Sequence, residues 1–93
     1  MSGIEEILSR AKKALELNQP EEALAILDQA SAEKSAEVLY LKGEIYYKLQ
    51  QWGEALNQFS SFLEQFPCDR KAESYCEMIR DILGFYHKDL NNP

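Results

Sequence analysis

The chain has one histidine, two cysteines and one tryptophan in 93 residues, and no run of about 20 apolar residues such as a membrane span requires. A single histidine cannot complete a metal site, and Cys68 and Cys76 stand eight apart, a spacing that fits neither a zinc pair nor a redox Cys-x-x-Cys. Both read as free thiols in a reducing compartment. The glycines are scattered singly, which leaves no loop to cradle a phosphate. Proline, glycine and serine form no tract, and with 45% hydrophobic residues the chain is too apolar for disorder. Basic charge is also scarce: 10 Lys and Arg stand against 16 Asp and Glu, a net charge of -6. That balance disfavours a nucleic-acid partner, because such binding rests on a clustered basic surface that releases counterions. Arg10, Lys12 and Lys13, and likewise Arg70 and Lys71, have acids around them and read as solvated helix faces. The opening MSGIEEILSR places acids where a secretory signal needs a basic stretch followed by an apolar one, so a cytoplasmic location and no membrane contact are expected.

Catalysis fails on the same ground of supply. It needs a nucleophile with a base, two carboxylates across a gap, or a set of metal ligands. His87 lies near a chain end, neither cysteine has a histidine near it in the pattern, and the glutamates fall on helix faces where solvation suffices. The expectation is a non-enzyme with no cofactor and no metal.

What the chain has in quantity is helical periodicity. At this length folding buries about 60–65% of the unfolded surface, enough for one modest core. Ile4, Ile7, Leu8, Ala11, Ala14 and Leu15 recur at three and four, the spacing of one helix face, until Asn18-Gln19-Pro20 interrupts them. Pro20 suits a first helical position, and Glu21 and Glu22 suit the positive end of the helix it opens, which is expected to run to about Ala30 and to bury Ala23, Leu24, Leu27 and Ala30. Residues 31–35 are polar and connecting. A third helix is predicted from Ala36 to Leu49 with Ser35 as its N-cap. A fourth, Trp52 to Phe66, presents Ala55, Phe59, Phe62, Leu63 and Phe66 and is stopped by Pro67. Asp69 caps a fifth, Arg70 to Tyr86, with Ala72, Tyr75, Cys76, Ile79, Ile82, Leu83 and Tyr86 as its apolar stripe; residues 87–93 read as a frayed tail. No stretch alternates with period two. Five helices joined by short turns imply an all-α fold of antiparallel neighbours.

The helices repeat. Gly43, Ala55, Phe59 and Phe62 are spaced by twelve, four and three, and thirty-two residues earlier the same intervals fall on Ala11, Ala23, Leu27 and Ala30. Small residues recur at the first two places. A glycine costs about 1 kcal/mol against alanine in a helix interior. The expected compensation is close approach, with Gly43 and Ala55 leaving room for a facing backbone while Tyr46 and Phe59 fill the space beside them.

Leu39, Gly43, Tyr46, Ala55, Phe59 and Pro67 resemble the signature of the tetratricopeptide repeat: large-x-x-Leu-Gly-x-x-Tyr, then Ala-x-x-x-Phe, then Pro. Residues 36–69 supply a full unit of this kind. Lys42 stands where leucine is usual and Phe62 where alanine is usual. Residues 4–35 form a degenerate first unit, with Ala14 in place of the tyrosine and a connection two residues short, and the fifth helix (70–86) resembles the terminal helix that covers the last apolar face of such arrays. The resemblance implies an α-solenoid of helix hairpins, a TPR-like superhelix forming a single domain, in which the first helix of each hairpin lines a groove. The residues implied to line it are Glu37, Tyr40, Glu44, Tyr47 and Lys48 in the second unit; the matching stripe in the first is Glu5, Leu8, Lys12, Leu15 and Glu16. Some members of this family clamp a peptide's terminal carboxylate, and the matching places here are Leu8, Lys12, Leu41, Lys71 and Tyr75. Only Lys12 and Lys71 are basic, so no clamp is expected and the partner segment should be apolar or basic rather than acidic.

Two functions are then open: an adaptor or scaffold that binds a protein or peptide in the groove, and a self-associating structural unit. The second is motivated by Met78 and Phe85, apolar residues off the main stripe of the fifth helix. Tyr40 and Tyr47 either offer their rings to a ligand or pack against neighbouring helices with wet hydroxyls.

Overall fold

A computed structural model describes the backbone of residues 3–30 and 35–91 and the side chains of residues 3–29 and 35–84. Five α-helices follow one another: α1 (Gly3–Glu16), α2 (Pro20–Leu27), α3 (Ala36–Lys48), α4 (Trp52–Gln65) and α5 (Arg70–Asn91); a 3-10 turn at Asp28–Ala30 extends α2. No strand occurs among the described residues. Each helix packs against the next, α1 on α2, α2 on α3, α3 on α4 and α4 on α5, and α1 also reaches α3. This is the stacked-hairpin order of an α-solenoid.

The ends of the helices follow from local chemistry. Ser35 Oγ accepts the Val38 N–H at 3.3 Å, and Asp69 Oδ1 accepts the Ala72 N–H at 2.9 Å. Both side chains therefore satisfy an N–H that the helix leaves without a partner. Pro20 occupies the first turn of α2. Three ends differ from the sequence reading. The last turn of α2 tightens to 3-10, a common way for a helix terminus to satisfy its remaining carbonyls. Helix α4 stops at Gln65, and Phe66, expected in its apolar stripe, is 51% exposed with φ -132° and ψ 74°. Pro67 forces this, because its ring excludes the preceding residue from the helical region and so swings the Phe66 side chain off the buried face. Helix α5 runs to Asn91 rather than ending near Tyr86, since residues 87–91 contain neither glycine nor proline. Residues 92 and 93 of the expected tail lie outside the described ones.

Both hairpin turns have the same hydrogen-bond pattern. After α1, Asn18 N–H bonds to Leu15 O at 3.0 Å and Gln19 N–H to Ala14 O at 2.9 Å; after α3, Gln50 N–H bonds to Tyr47 O at 3.0 Å and Gln51 N–H to Tyr46 O at 2.9 Å. This pair of bonds is the Schellman motif, which requires a left-handed residue at its turn. Asn18 (φ 62°) and Gln50 (φ 61°) fill that place, thirty-two residues apart. Asparagine visits this region readily, whereas glutamine bears a steric cost of about 1–2 kcal/mol. Gln50→Gly is therefore expected to stabilise the fold by about 0.5–1 kcal/mol, after allowance for glycine's larger chain entropy. A urea midpoint that fails to rise would contradict this.

The core divides about α3. Leu8, Ala11, Ala14, Ala23 and Leu27 bury against Val38, Leu41 and Ile45 on one side of it. On the other side Ala55, Phe59, Phe62, Ala72, Cys76 and Ile79 are covered by Leu39, Tyr40, Tyr46 and Tyr47. Helix α3 is thus packed on both flanks and is the central rod of the domain. Of the two thiols, Cys76 is buried and Cys68 exposed; neither is bonded.

Gly43 faces this second cluster. A Cβ built there would lie 2.8 Å from the Phe59 ring atoms Cε1 and Cζ. The sequence reading placed a facing backbone at this contact; the structure places an aromatic ring there. Glycine lies against phenylalanine at 43 and 59, while the matching places of the first unit hold Ala11 and Leu27, both buried in the other cluster.

Candidate functional site

Helices α1, α3 and α5 share one face, and along it lie three cavities. The first, about 340 Å³, is lined by Glu5, Leu8, Ser9 and Lys12 of α1 and Glu37 of α3. The second, also about 340 Å³, lies farther along, with Leu15, Glu44, Tyr47, Lys48, Gln50, Trp52 and Tyr75 in its wall. The third, about 330 Å³, is lined by Tyr40 and Glu44 of α3 and by Arg70, Lys71, Ser74, Tyr75 and Met78 of α5.

Of the ten residues that the repeat puts on the groove stripe, Glu5, Leu8, Lys12, Leu15, Glu37, Tyr40, Glu44, Tyr47 and Lys48 each line at least one of these cavities. They are not equally available. Glu37, Lys12 and Lys48 are exposed, while Tyr40, Glu44, Tyr47 and Leu15 are half-buried. Leu8 is only 6% exposed and belongs mainly to the core, touching the cavity as part of its floor. Glu5 lines the first cavity but Glu16 lines none of the three. At the carboxylate-clamp places, Leu41 is 3% exposed inside the core, so that position offers nothing to a ligand.

Tyr75 organises the site. It stacks on Phe59 with centroids 4.4 Å apart and planes 8° from parallel, and meets Tyr47 edge-to-face at 5.1 Å. Its hydroxyl donates to Glu44 Oε2 at 3.2 Å. Tyr47 is likewise perpendicular to Trp52 at 5.2 Å, and its hydroxyl lies 3.9 Å from the Met78 sulfur. Tyr40 meets Phe59 and Phe62 edge-to-face at 5.4 and 5.1 Å. Of the open alternative for Tyr40 and Tyr47, the structure shows the packing half, the rings resting on their neighbours, and both residues also line a cavity.

Burial, and then the neighbouring Glu44 charge and hydrogen bond, push the Tyr75 phenol up to about 12; the charges of Tyr40 and Tyr47 add to this. Tyr40 is raised by burial, then by Glu44 and Asp69. Unfolded tyrosine titrates near 10. A phenol held neutral by the fold contributes stability that is fully present below pH about 10 and is lost as pH rises toward 12, because the unfolded chain releases the proton first. The urea midpoint is thus expected to fall above pH 10, and to fall less in Tyr75→Phe than in wild type. Parallel curves for the two proteins between pH 8 and 11.5 would refute the assignment.

Of the cavity residues, Ser9, Gln50, Trp52, Arg70 and Ser74 are not on the groove stripe read from the sequence, Lys71 and Tyr75 enter there only as carboxylate-clamp places, and Met78 only as a surface patch. The signal was available. Helix α5 starts thirty-four residues after α3, and moving the stripe Glu37, Tyr40, Glu44 by that interval gives Lys71, Ser74 and Met78. All three line the third cavity. Reading α5 only as a cap hid its equivalence to an inner helix.

Among the described residues no helix is long and apolar enough to cross a membrane, and no three His, Cys, Asp or Glu side chains gather as a metal ion would require. Helical hairpins repeating in register, small residues at the hairpin contact and an aromatic face on α3 define a tetratricopeptide-type repeat protein, a class that serves protein–protein interaction. The family model described as anaphase-promoting complex, cyclosome, subunit 3 matches residues 4–62, and the chain belongs to that family. The match spans α1 to α4 up to Phe62 and leaves α5 outside it. Comparison with curated proteins and with solved structures gave no match.

Proposed function

We propose that the face shared by α1, α3 and α5 is a groove that receives a segment of a protein partner, and that the protein acts as a non-catalytic adaptor. The observation that carries this reading is the row of three cavities on that face, two of which share Glu44 and Tyr75. Aromatic rings supply contact area at low entropy cost and keep a polar edge for orientation. The partner segment is apolar or basic rather than acidic. The family description names a subunit of a complex, a setting suited to an adaptor.

Capture from the native cell extract tests the reading. Partners retained by wild type should be lost with Tyr47→Ala and kept with Leu17→Ala, a change at a residue 61% exposed that lines none of the three cavities. Equal retention by Tyr47→Ala would defeat the groove.

Self-association through α5 is the second reading, and Met78, 43% exposed, is the observation for it. Phe85, the other residue behind it, lies outside the described side chains. Light scattering that shows a dimer lost in Met78→Asp would favour this reading.

A further inference from the structure

The geometry points to Met78 as an oxidation site through which the groove is controlled: conversion of its thioether to a sulfoxide ties Tyr47 to α5 and makes the wall of the third cavity polar. The inference rests on the groove reading and adds a means of regulating it.

Three features meet at Met78. It is 43% exposed, so an oxidant in solution reaches its sulfur. That sulfur lies 3.9 Å from the Tyr47 hydroxyl, a contact from α5 back to α3. It also lines the third cavity, where it is the one apolar residue without an aromatic ring among the described ones. Leu17 and Phe66, the other large apolar side chains as exposed as this among the described residues, have no sulfur to oxidise. Cys68, the exposed thiol, lines none of the three cavities.

A thioether is a weak acceptor, so the reduced protein holds the Tyr47 hydroxyl loosely. A peroxide changes this. The sulfur lone pair forms an S–O bond, the O–O bond breaks, and the departing oxygen leaves as water; sulfur loses two electrons and the peroxide gains them. The new oxygen is a strong acceptor on a sulfur that already stands opposite a phenol, and it draws the Tyr47 hydroxyl onto α5. Tyr47 is also a wall of the second cavity and meets Trp52 and Tyr75 edge-to-face at 5.2 and 5.1 Å. Fixing it therefore reaches both cavities. Oxidation also turns a flexible apolar side chain into a polar, chiral one, and the change is reversible by methionine sulfoxide reductases. An apolar partner side chain seated against Met78 then loses its contact, and the groove releases its segment.

The test treats the full chain with dilute hydrogen peroxide in a Cys68→Ser background, because the exposed thiol competes for oxidant. Peptide mass mapping, which separates Met78 from Met1, should show one oxygen added at Met78 at a rate within about tenfold of capped free methionine. A Met78 left intact while capped methionine is consumed overturns the inference. Oxidation should change the emission of Trp52, the single tryptophan, through its contact with Tyr47. The thermal midpoint should drop further on oxidation in Tyr47→Phe than in wild type, since only the phenol hydroxyl meets the sulfoxide. Equal drops overturn the bond to Tyr47. Proteins retained from the native extract should bind the oxidised form at least about tenfold more weakly, the worth of burying one apolar side chain. Reductases for both sulfoxide epimers, supplied with a dithiol, should restore them. Met78→Leu, compared with its own untreated form, should show no response to peroxide in emission or capture. A response that persists there overturns the assignment to this sulfur. If Tyr47→Ala loses the retained proteins but oxidation does not, the groove stands and the control falls. If Tyr47→Ala keeps them, the groove reading falls and takes the control with it.

Discussion

Gly43→Leu is expected to unfold at a markedly lower urea concentration than wild type, although leucine is the better helix former. Even a bare Cβ at position 43 would meet the Phe59 ring at 2.8 Å. The ring cannot retreat: Phe59 is fully buried, stacked on Tyr75 at 4.4 Å and met edge-on by Tyr40. Helix propensity returns about 0.8 kcal/mol, while overpacking costs about 1–3 kcal/mol and more where the neighbours are themselves fixed. The loss should be visible in the unfolding midpoint with little change in slope. A stability equal to or above that of wild type would mean that glycine at this position has another reason.

Phe59→Ala is expected to be the most damaging single change. Truncating a fully buried phenylalanine costs about 3–5 kcal/mol, and the lost pairing with Tyr75 and Tyr40 adds to that. A domain's whole stability is about 5–15 kcal/mol, and a chain this short lies toward the lower end. The variant should lose cooperative thermal unfolding measured by circular dichroism. The pair also predicts non-additivity. With Phe59 shortened to leucine, the second position acquires the side chain found at Leu27, the matching place of the first unit, where Ala11 stands at the place of Gly43. Gly43→Ala should then be far better tolerated with Phe59→Leu than in wild type, by a coupling of about 1 kcal/mol or more. Additive effects would show that the two residues do not share the contact.

Tyr75 rests on Phe59, so damage to the core should reach the groove as well. A variant of Phe59 that still folds is expected to capture partners less well, since the aromatic walls lose the ring that supports them.

Much of the architecture was legible in the chain. The three-and-four spacing placed the helices, Ser35 and Asp69 announced two starts, and Pro67 announced a stop. The thirty-two-residue interval between Ala11 and Gly43 reappears in space as two identical turns with left-handed Asn18 and Gln50. The repeat also marked a stripe on α1 and α3, of which all but Glu16 line at least one of the three cavities. Phe66 misled because an apolar residue at the right interval is not in the helix once proline follows it.

The sequence by itself determined the elements, their order and the face each buries, because periodicity, caps and breakers act over one or two turns of chain and are written in adjacent residues. Only the tertiary structure decided that Gly43 makes room for a ring rather than a backbone, that Tyr75 ties α5 to Glu44 of α3, and that Trp52 joins the same cavity. These contacts join residues on different helices, far apart in the chain, as the Tyr75–Glu44 separation of 31 shows. Their geometry depends on how whole helices settle against one another at close packing, which no local pattern of residues encodes.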